Sequence, residues 1–249
     1  ALHSAVKFYE IILEATVKPM GSIKAAEATK ILENSFRDVN IAFINEIAKS
    51  FTYLGIDVLD VIEGAKTKPF AFMAHYPSCG VGGHCIPVDP YYLIERAKLS
   101  GFDHKFLKLA REINNSMPAY TIDLLIEGLN SMRKSVRGTS VAVLGVAYKA
   151  DVGDVRESPA MKIITLLREL GADVKVFDPH ITKLSTVPTL QLALKNSVAV
   201  VIVTNHKEFT AIRPSEFKRA GVQLIVDGKN CLDTKAVKSK GIIYRGIGR

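Results

Sequence analysis

Tryptophan is absent from this chain, and cysteine occurs only at Cys79, Cys85 and Cys231. Three thiols cannot all pair with one another, which excludes a secreted scaffold whose every cysteine is stapled within the chain. The expected setting is a reducing cytoplasm. No apolar run reaches the roughly 20 residues that a membrane-spanning helix needs, and no secretory signal is read, so no membrane partner is expected. Carboxylates are in short supply: 25 Asp and Glu against 33 Lys and Arg give a formal charge of +8. Such a surplus is an ordinary solvated surface or the mark of an anionic partner. A nucleic-acid binder would show a basic stripe interleaved with aromatics, and none is present. Basic residues mixed with glycine loops point instead to a phosphorylated small molecule. Internal repeats and low-complexity tracts are also lacking.

The chain does have 249 residues, 48% of them hydrophobic, enough for two modest domains. Residues 1–20 read as a helix over Ala5 to Glu14 and a strand-like piece, Ala15-Thr16-Val17. Ser22 caps a long helix that Gly55 closes. Leu32, Phe36, Val39, Phe43, Ile47 and Leu54 fall near one stripe of it, the expected buried face. Helices are predicted at about Val58 to Ala65, 90–99, 104–115, and from Pro118 to Met132. After a polar joint, Arg133 to Thr139, buried strands alternate with helices. They lie at Ser140–Gly145, Asp173–Asp178, Ser197–Thr204, Gln223–Asp227 and Ile242–Tyr244. That alternation implies a doubly wound parallel sheet, so the fold class is α/β behind an all-helical part.

The most informative run is Gly82-Gly83-His84-Cys85-Ile86-Pro87-Val88-Asp89-Pro90. Glycines let the backbone approach a ligand, and prolines stiffen the chain beyond them. A thiol so placed is a candidate nucleophile, or else a small buried hydrophobe. His75, Cys79, His84 and Cys85 invite a zinc reading, but their spacing has no Cys-x-x-Cys and no knuckle, so no metal is expected there. On the long helix Glu27, Lys30 and Asn34 share one face. An ammonium and an amide there can hold an oxygen and steady negative charge; an exposed ion-paired face reads equally from the spacing. A third run, Gly145-Val-Ala-Tyr148-Lys149-Ala-Asp-Val-Gly-Asp154-Val-Arg156, comes after the first strand of the sheet, where such folds bind ligands. Its helix starts only near Ser158, so a pyrophosphate cannot sit on the helix end in the usual way. Lys149 and Arg156 are cationic arms for a nucleotide diphosphate or sugar, or Asp154 and Arg156 simply tie the loop together.

These runs, in this order, resemble the UDP-glucose/GDP-mannose dehydrogenase family. Lys68-Pro-Phe, Gly80-Val-Gly-Gly-His-Cys-Ile-Pro-Val-Asp-Pro-Tyr-Tyr-Leu93, Leu144 to Lys149 and Arg156-Glu-Ser-Pro159 are most similar to its UDP-N-acetylhexosamine 6-dehydrogenase branch. The resemblance implies oxidation of a sugar C6 alcohol to the acid in two NAD-dependent steps, for surface-polysaccharide or glycan precursors. It implies Cys85 as the covalent carrier of a thiohemiacetal and thioester, Lys30 and Asn34 as oxyanion and substrate holders, and Asp89 as the group handling water or protons. Glu27, Tyr76, Gly80, Val81, Gly82, Tyr148, Lys149 and Lys229 would contact the UDP-sugar, and Arg156 the NAD. The helical part, residues 21–132, would pair two copies into a homodimer, and residues 133–249 would bind UDP. A non-catalytic UDP-sugar-binding or dimerisation module is the alternative.

Three departures qualify the resemblance. Pro77-Ser78-Cys79-Gly80 stands where the family has a Pro-Gly-Pro-Gly type of run, which puts Cys79 near Cys85 in sequence and raises a disulfide between them. Lys229 in Asp227-Gly-Lys-Asn230 stands where the family carries an arginine, a point charge in place of a bidentate fork. The family's Gly-x-Gly-x-x-Gly run is absent from these residues. Residues 1–20 therefore read as the tail of an NAD-binding domain, the chain as a fragment, and the fragment alone as inactive.

Overall fold

The computed structural model describes residues 1–249. Helix α1 (Leu2–Ile12) buries none of its residues. Ala15 to Val17 form no strand, because a strand needs a partner edge and the single sheet of the molecule lies elsewhere. Helix α2 (Ile23–Leu54) is capped by the Ser22 hydroxyl, which accepts the Ala25 amide at 3.1 Å, and closed by Gly55 at φ 69°.

The apolar stripe of α2 faces inward only at Val39 and Ile47, which are half-buried, Ile47 against the shared core. Leu32, Phe36, Phe43 and Leu54 are 68%, 49%, 54% and 64% exposed. The buried face holds Asn34, Ser35, Asp38, Ala42, Ile44, Asn45 and Ala48 instead. Asp38 and Asn45 are buried there because the last long helix of this half, residues Lys105–Ser131, satisfies them across the helix pair, whereas Asn34 is met by Asp89 and Ser35 Oγ has no partner. Asn45 donates to Asn114 at 2.9 Å, Asn114 donates to Asp38 at 2.8 Å, and Arg111 pairs with Asp38 at 2.5 Å.

Between these two long helices lie α3 (Val58–Lys66), with Asp57 as its cap, and α4 (Cys85–Leu99). Helix α4 begins at Cys85, five residues before the start expected at 90. Pro87 falls in the first turn, where amides have no helical partner to lose. Pro90 sits inside and removes a bond to the Ile86 carbonyl. The break expected at Pro118 is likewise absent: α5 (Lys105–Ser131) runs through it, because packing against α2, α4 and the sheet outweighs one lost hydrogen bond.

The second half is β1 (Ser140–Leu144), α6 (Pro159–Glu169), β2 (Asp173–Phe177), α7 (Leu190–Leu194), β3 (Ala199–Ile202), α8 (Lys207–Thr210), α9 (Pro214–Ala220), β4 (Leu224–Asp227), α10 (Thr234–Lys238) and β5 (Ile243–Gly246). All five strands are parallel, in the order β2-β1-β3-β4-β5. The strand order reverses between β1 and β3, the switch point at which open α/β sheets hold ligands. One face of the sheet packs under α7, α8, α9 and α10 through Leu194, Phe209, Phe217 and Val237. The other shares a single core with the helical half: Ile44, Met117, Leu125 and Leu129 join Val141, Val143, Ile163 and Leu224. The polar joint thus links two halves that are packed as one body.

Candidate active site

Two segments meet at the carboxyl end of β1: the Gly80–Cys85 run and the loop from Gly145 to Ser158. The Gly83 amide donates to the Arg156 carbonyl at 2.9 Å. Gly83 has φ 90°, and a Cβ there would lie 2.9 Å from the Tyr148 ring. A Cβ on Gly82 would lie 2.7 Å from Tyr148 Cβ and 2.9 Å from the Glu157 carbonyl oxygen. Only glycine fits between the loops, so these residues set the closeness of the two halves.

Cys85 is the first residue of α4, exposed and unpaired. Amides of a first turn have no helical acceptor, so negative charge forming beside them is stabilised. Asp89 lies four residues on, along the same helix face as Cys85. Asn34 Nδ2 donates to Asp89 Oδ2 at 2.6 Å, which brings the α2 face and the thiol helix together. Lys30, one turn before Asn34, is exposed and paired with Glu33 at 3.3 Å. Glu27 lies outside this grouping and lines a hollow between α2 and α4 with Lys24, Tyr92 and Arg96. The Arg156 guanidinium is held above its ordinary range first by its hydrogen bonds and charge pairing with Asp154, with smaller pulls from Tyr148 and Cys85.

Beside the Gly loop is a cleft of about 340 Å³. Tyr76, Gly80, Val81, Gly82, Tyr148, Lys149 and Lys229 all line it. Its wall carries three cations, Arg37, Lys149 and Lys229, and no carboxylate. Such a wall suits a phosphate-bearing ligand. Tyr76 hydrogen-bonds to Glu63 at 2.7 Å, and Lys229 leaves a turn whose amide bonds to Asp227 at 3.1 Å. Sequence reasoning missed Arg37 and Ile41. Both come after Asn34 at steps of three and seven, the same helix face, and that spacing was the available signal.

Cys79 is no partner for Cys85. It is fully buried against Gly228 and the Val203 carbonyl, whereas Cys85 is exposed, and both are free thiols. Burial pushes the Cys79 thiol up, with a small opposing pull from Lys229. His84 and Cys85 are exposed, His75 is half-buried and Cys79 is interior, and the four do not gather.

The turn after β1 does not suit a dinucleotide. The Val146 and Ala147 amides, which would face a pyrophosphate, donate to Asp178 Oδ2 at 2.6 and 2.9 Å. Helix α6 begins only at Pro159. The Arg156 guanidinium, expected to meet such a cofactor, is hydrogen-bonded to the Asp154 carboxylate within the same loop.

Comparisons with known proteins bear on the same two halves. Residues 24–116 match the central domain of the UDP-glucose/GDP-mannose dehydrogenase family, and residues 142–234 match its UDP binding domain. The chain is 37% identical over 250 residues to a UDP-N-acetyl-D-mannosamine dehydrogenase of Pyrococcus horikoshii, covering 100% of this chain and 57% of that protein. It is 39% identical over 174 residues to a UDP-N-acetyl-D-glucosamine 6-dehydrogenase of Pseudomonas aeruginosa, covering 70% of this chain and 41% of the relative. An NDP-N-acetyl-D-galactosaminuronic acid dehydrogenase structure from Methanosarcina mazei superposes with a TM-score of 0.90 at 33% identity, over 100% of this chain and 56% of that one. The chain thus spans little more than half the length of the longer of these matches.

Proposed function

Because the chain belongs to the UDP-glucose/GDP-mannose dehydrogenase family, we propose that it supplies the thiol and the sugar-nucleotide site of a UDP-N-acetylhexosamine 6-dehydrogenase. The reaction converts the sugar C6 alcohol to a carboxylate. NAD, when bound, accepts the two hydrides.

The observation that carries this reading is the pairing of one exposed thiol with one cationic cleft across the Gly82–Gly83 contact. Lys149, Lys229 and Arg37 would hold the diphosphate, leaving the sugar toward Cys85. Cys85 Sγ would add to the C6 aldehyde carbon, and the aldehyde oxygen would take a proton to give a thiohemiacetal. Lys30 and Asn34 would steady the oxygen while it carries negative charge. After oxidation to the thioester, water would add at the same carbon and the thiolate would leave, with Asp89 accepting the water's proton. Three free thiols suit a reducing, cytoplasmic setting for this chemistry. Relatives named for different N-acetylhexosamines share this frame, so the proposal extends to the branch and to no one sugar.

The exposed Leu32, Phe36 and Phe43 of α2 would be covered by a second copy, giving a homodimer. Sedimentation at monomer mass over micromolar concentrations would remove that element.

Titration calorimetry with UDP-N-acetylmannosamine and UDP-N-acetylglucosamine tests the site. Heat is expected with the wild-type chain and is expected to be lost in a Lys149→Ala/Lys229→Ala variant. Equal heat in the two proteins would overturn the assignment of the cleft. NADH formation is expected to be absent with these 249 residues alone, because they hold no dinucleotide cradle. Turnover by this chain would contradict that.

A further inference from the structure

Asp178 and His206 are both fully buried beyond the carboxyl ends of β2 and β3, and the reaction proposed above uses neither. Asp178 follows β2 directly, and His206 stands between β3 and α8. Their bonds converge on the loop after β1, which carries Tyr148 and Lys149 to the cleft.

The Asp178 carboxylate is fully engaged. Its Oδ2 accepts the Val146 and Ala147 amides at 2.6 and 2.9 Å and faces His206 Nε2 at 3.1 Å. Its Oδ1 accepts the His180 and Ile181 amides at 2.8 and 3.1 Å. Burial alone would raise the Asp178 carboxyl. The His206 bond and the Val146, Ala147 and His180 amides outweigh it and hold the group well below the usual carboxylate range. An ionised carboxylate only accepts, so His206 Nε2 carries the hydrogen.

The other ring nitrogen agrees. His206 Nδ1 accepts the Asp151 amide at 2.8 Å. A backbone N–H only donates, so Nδ1 offers a lone pair. The two bonds together assign the neutral Nε2–H tautomer. The ring packs against those of His180 and Phe209, with centroids 4.6 and 5.3 Å away.

Asp151 needs this hold. Its φ is 59°, in the left-handed region that residues other than glycine enter seldom and keep where neighbours hold them. Its carboxylate adds a second tie, accepting the Lys207 amide at 3.1 Å. On the near side of the loop, Thr204 donates to the Ala147 carbonyl at 2.5 Å. Tyr148, Lys149 and Ala150 are the residues left between the Ala147 and Asp151 anchors. The Asp178–His206 pair supplies a bond to each anchor, so a buried pair restrains an exposed tip from both ends.

We propose that His206 is a positioning residue for the cleft: in its Nε2–H tautomer it fixes the backbone at Asp151 and thereby presents Tyr148 and Lys149 to a phosphate-bearing ligand. The hold on the loop stands on these bonds alone, and its effect on binding rests on the reading of the cleft given above.

Two substitutions separate the two ring nitrogens. His206→Asn sets an amide oxygen where Nδ1 stands and keeps an acceptor for the Asp151 amide. His206→Gln sets an amide nitrogen near Nε2, keeps the Asp178 bond and leaves the Asp151 amide with no acceptor. NMR of the ring nitrogens in the wild-type chain at neutral pH is expected to show a hydrogen on Nε2 and none on Nδ1. Hydrogen exchange of the Asp151 amide is expected to be slow in wild type and in His206→Asn, and to quicken by about tenfold in His206→Gln. Calorimetry with UDP-N-acetylglucosamine is expected to find binding within about threefold of wild type in His206→Asn and weakened about tenfold in His206→Gln. A merely structural role would lower the melting temperature of both variants and leave their affinities unchanged. A hydrogen on Nδ1 in the wild-type chain, fast exchange of its Asp151 amide, or equal affinities in the two variants would each overturn the proposal. No heat with wild type would overturn the reading of the cleft and the binding half of the proposal with it, while the NMR and exchange results would still decide the hold on the loop.

Discussion

Asn34 Nδ2 donates to Asp89 Oδ2 at 2.6 Å, across 55 residues of sequence, and this single bond joins the α2 face to the helix that begins with the thiol. Asn34 is buried, so its loss is felt in stability as well as position. Asn34→Ala is expected to cost about 1–2 kcal/mol by urea unfolding, the range for stranding a partly buried partner. Asn34→Asp is expected to cost more, because it sets two carboxylates against each other. Equal stability of wild type and Asn34→Asp would show that the contact is not made.

The Gly83–Tyr148 approach makes a second prediction. Gly83→Ala adds a Cβ in a left-handed backbone conformation and against an aromatic ring, at a cost of about 1–3 kcal/mol. Tyr148→Ala is expected to recover part of that cost, the steric part. It is expected to recover much less of Gly82→Ala, whose Cβ also meets the Glu157 carbonyl. Thermal melts of the single and double variants measure both. Identical recovery in the two pairs would contradict the geometry.

Thiol titration separates the three cysteines. Cys85 is exposed, Cys79 is fully buried, and Cys231 is half-buried beside Asp227. One equivalent of a thiol reagent is expected to react quickly in the native protein and three in guanidinium. Cys85→Ser is expected to remove the fast phase. A fast phase that survives would place the reactive thiol elsewhere.

Alkaline pH is expected to destabilise the fold. Burial pushes the Cys79 and Cys231 thiols and the Tyr244 phenol above their ordinary values, with Asp227 adding to the rise in Cys231 and Tyr244. These groups stay protonated in the folded chain while the unfolded chain loses its protons from about pH 9 upward. Their contribution is therefore fully present below about pH 9 and falls as pH rises toward the folded values. Urea midpoints are expected to drop between about pH 8 and pH 10.5, and Cys231→Ala to flatten the drop. A midpoint that rises with pH would reverse the expected sign.

Much of the fold was legible because it is local. Ser22 and Gly55 bound α2 by capping chemistry, Ser158-Pro159 opens α6, and apolar runs name β1, β2 and β4. The differences fall where tertiary packing outweighs a local rule. Pro118 does not stop α5 because neighbouring elements hold both sides of it. Cys85 opens a helix because prolines are harmless before the ladder begins. Leu32, Phe36 and Phe43 of the apolar stripe of α2 point outward, since Asp38, Asn45, Arg111 and Asn114 pair with one another inside.

The sequence by itself determined the elements, the parallel sheet and the identity of the motif residues, since propensity, capping and apolar periodicity act within a few residues. Tertiary structure alone decided which of those residues meet. It buried Cys79 and left Cys85 exposed, although the two are close neighbours in sequence. It joined Asn34 to Asp89 and set Arg37 beside Lys149 and Lys229. It also brought Asp151, His180 and His206 together from three strand ends, because parallel strands deliver distant segments to the same edge of the sheet.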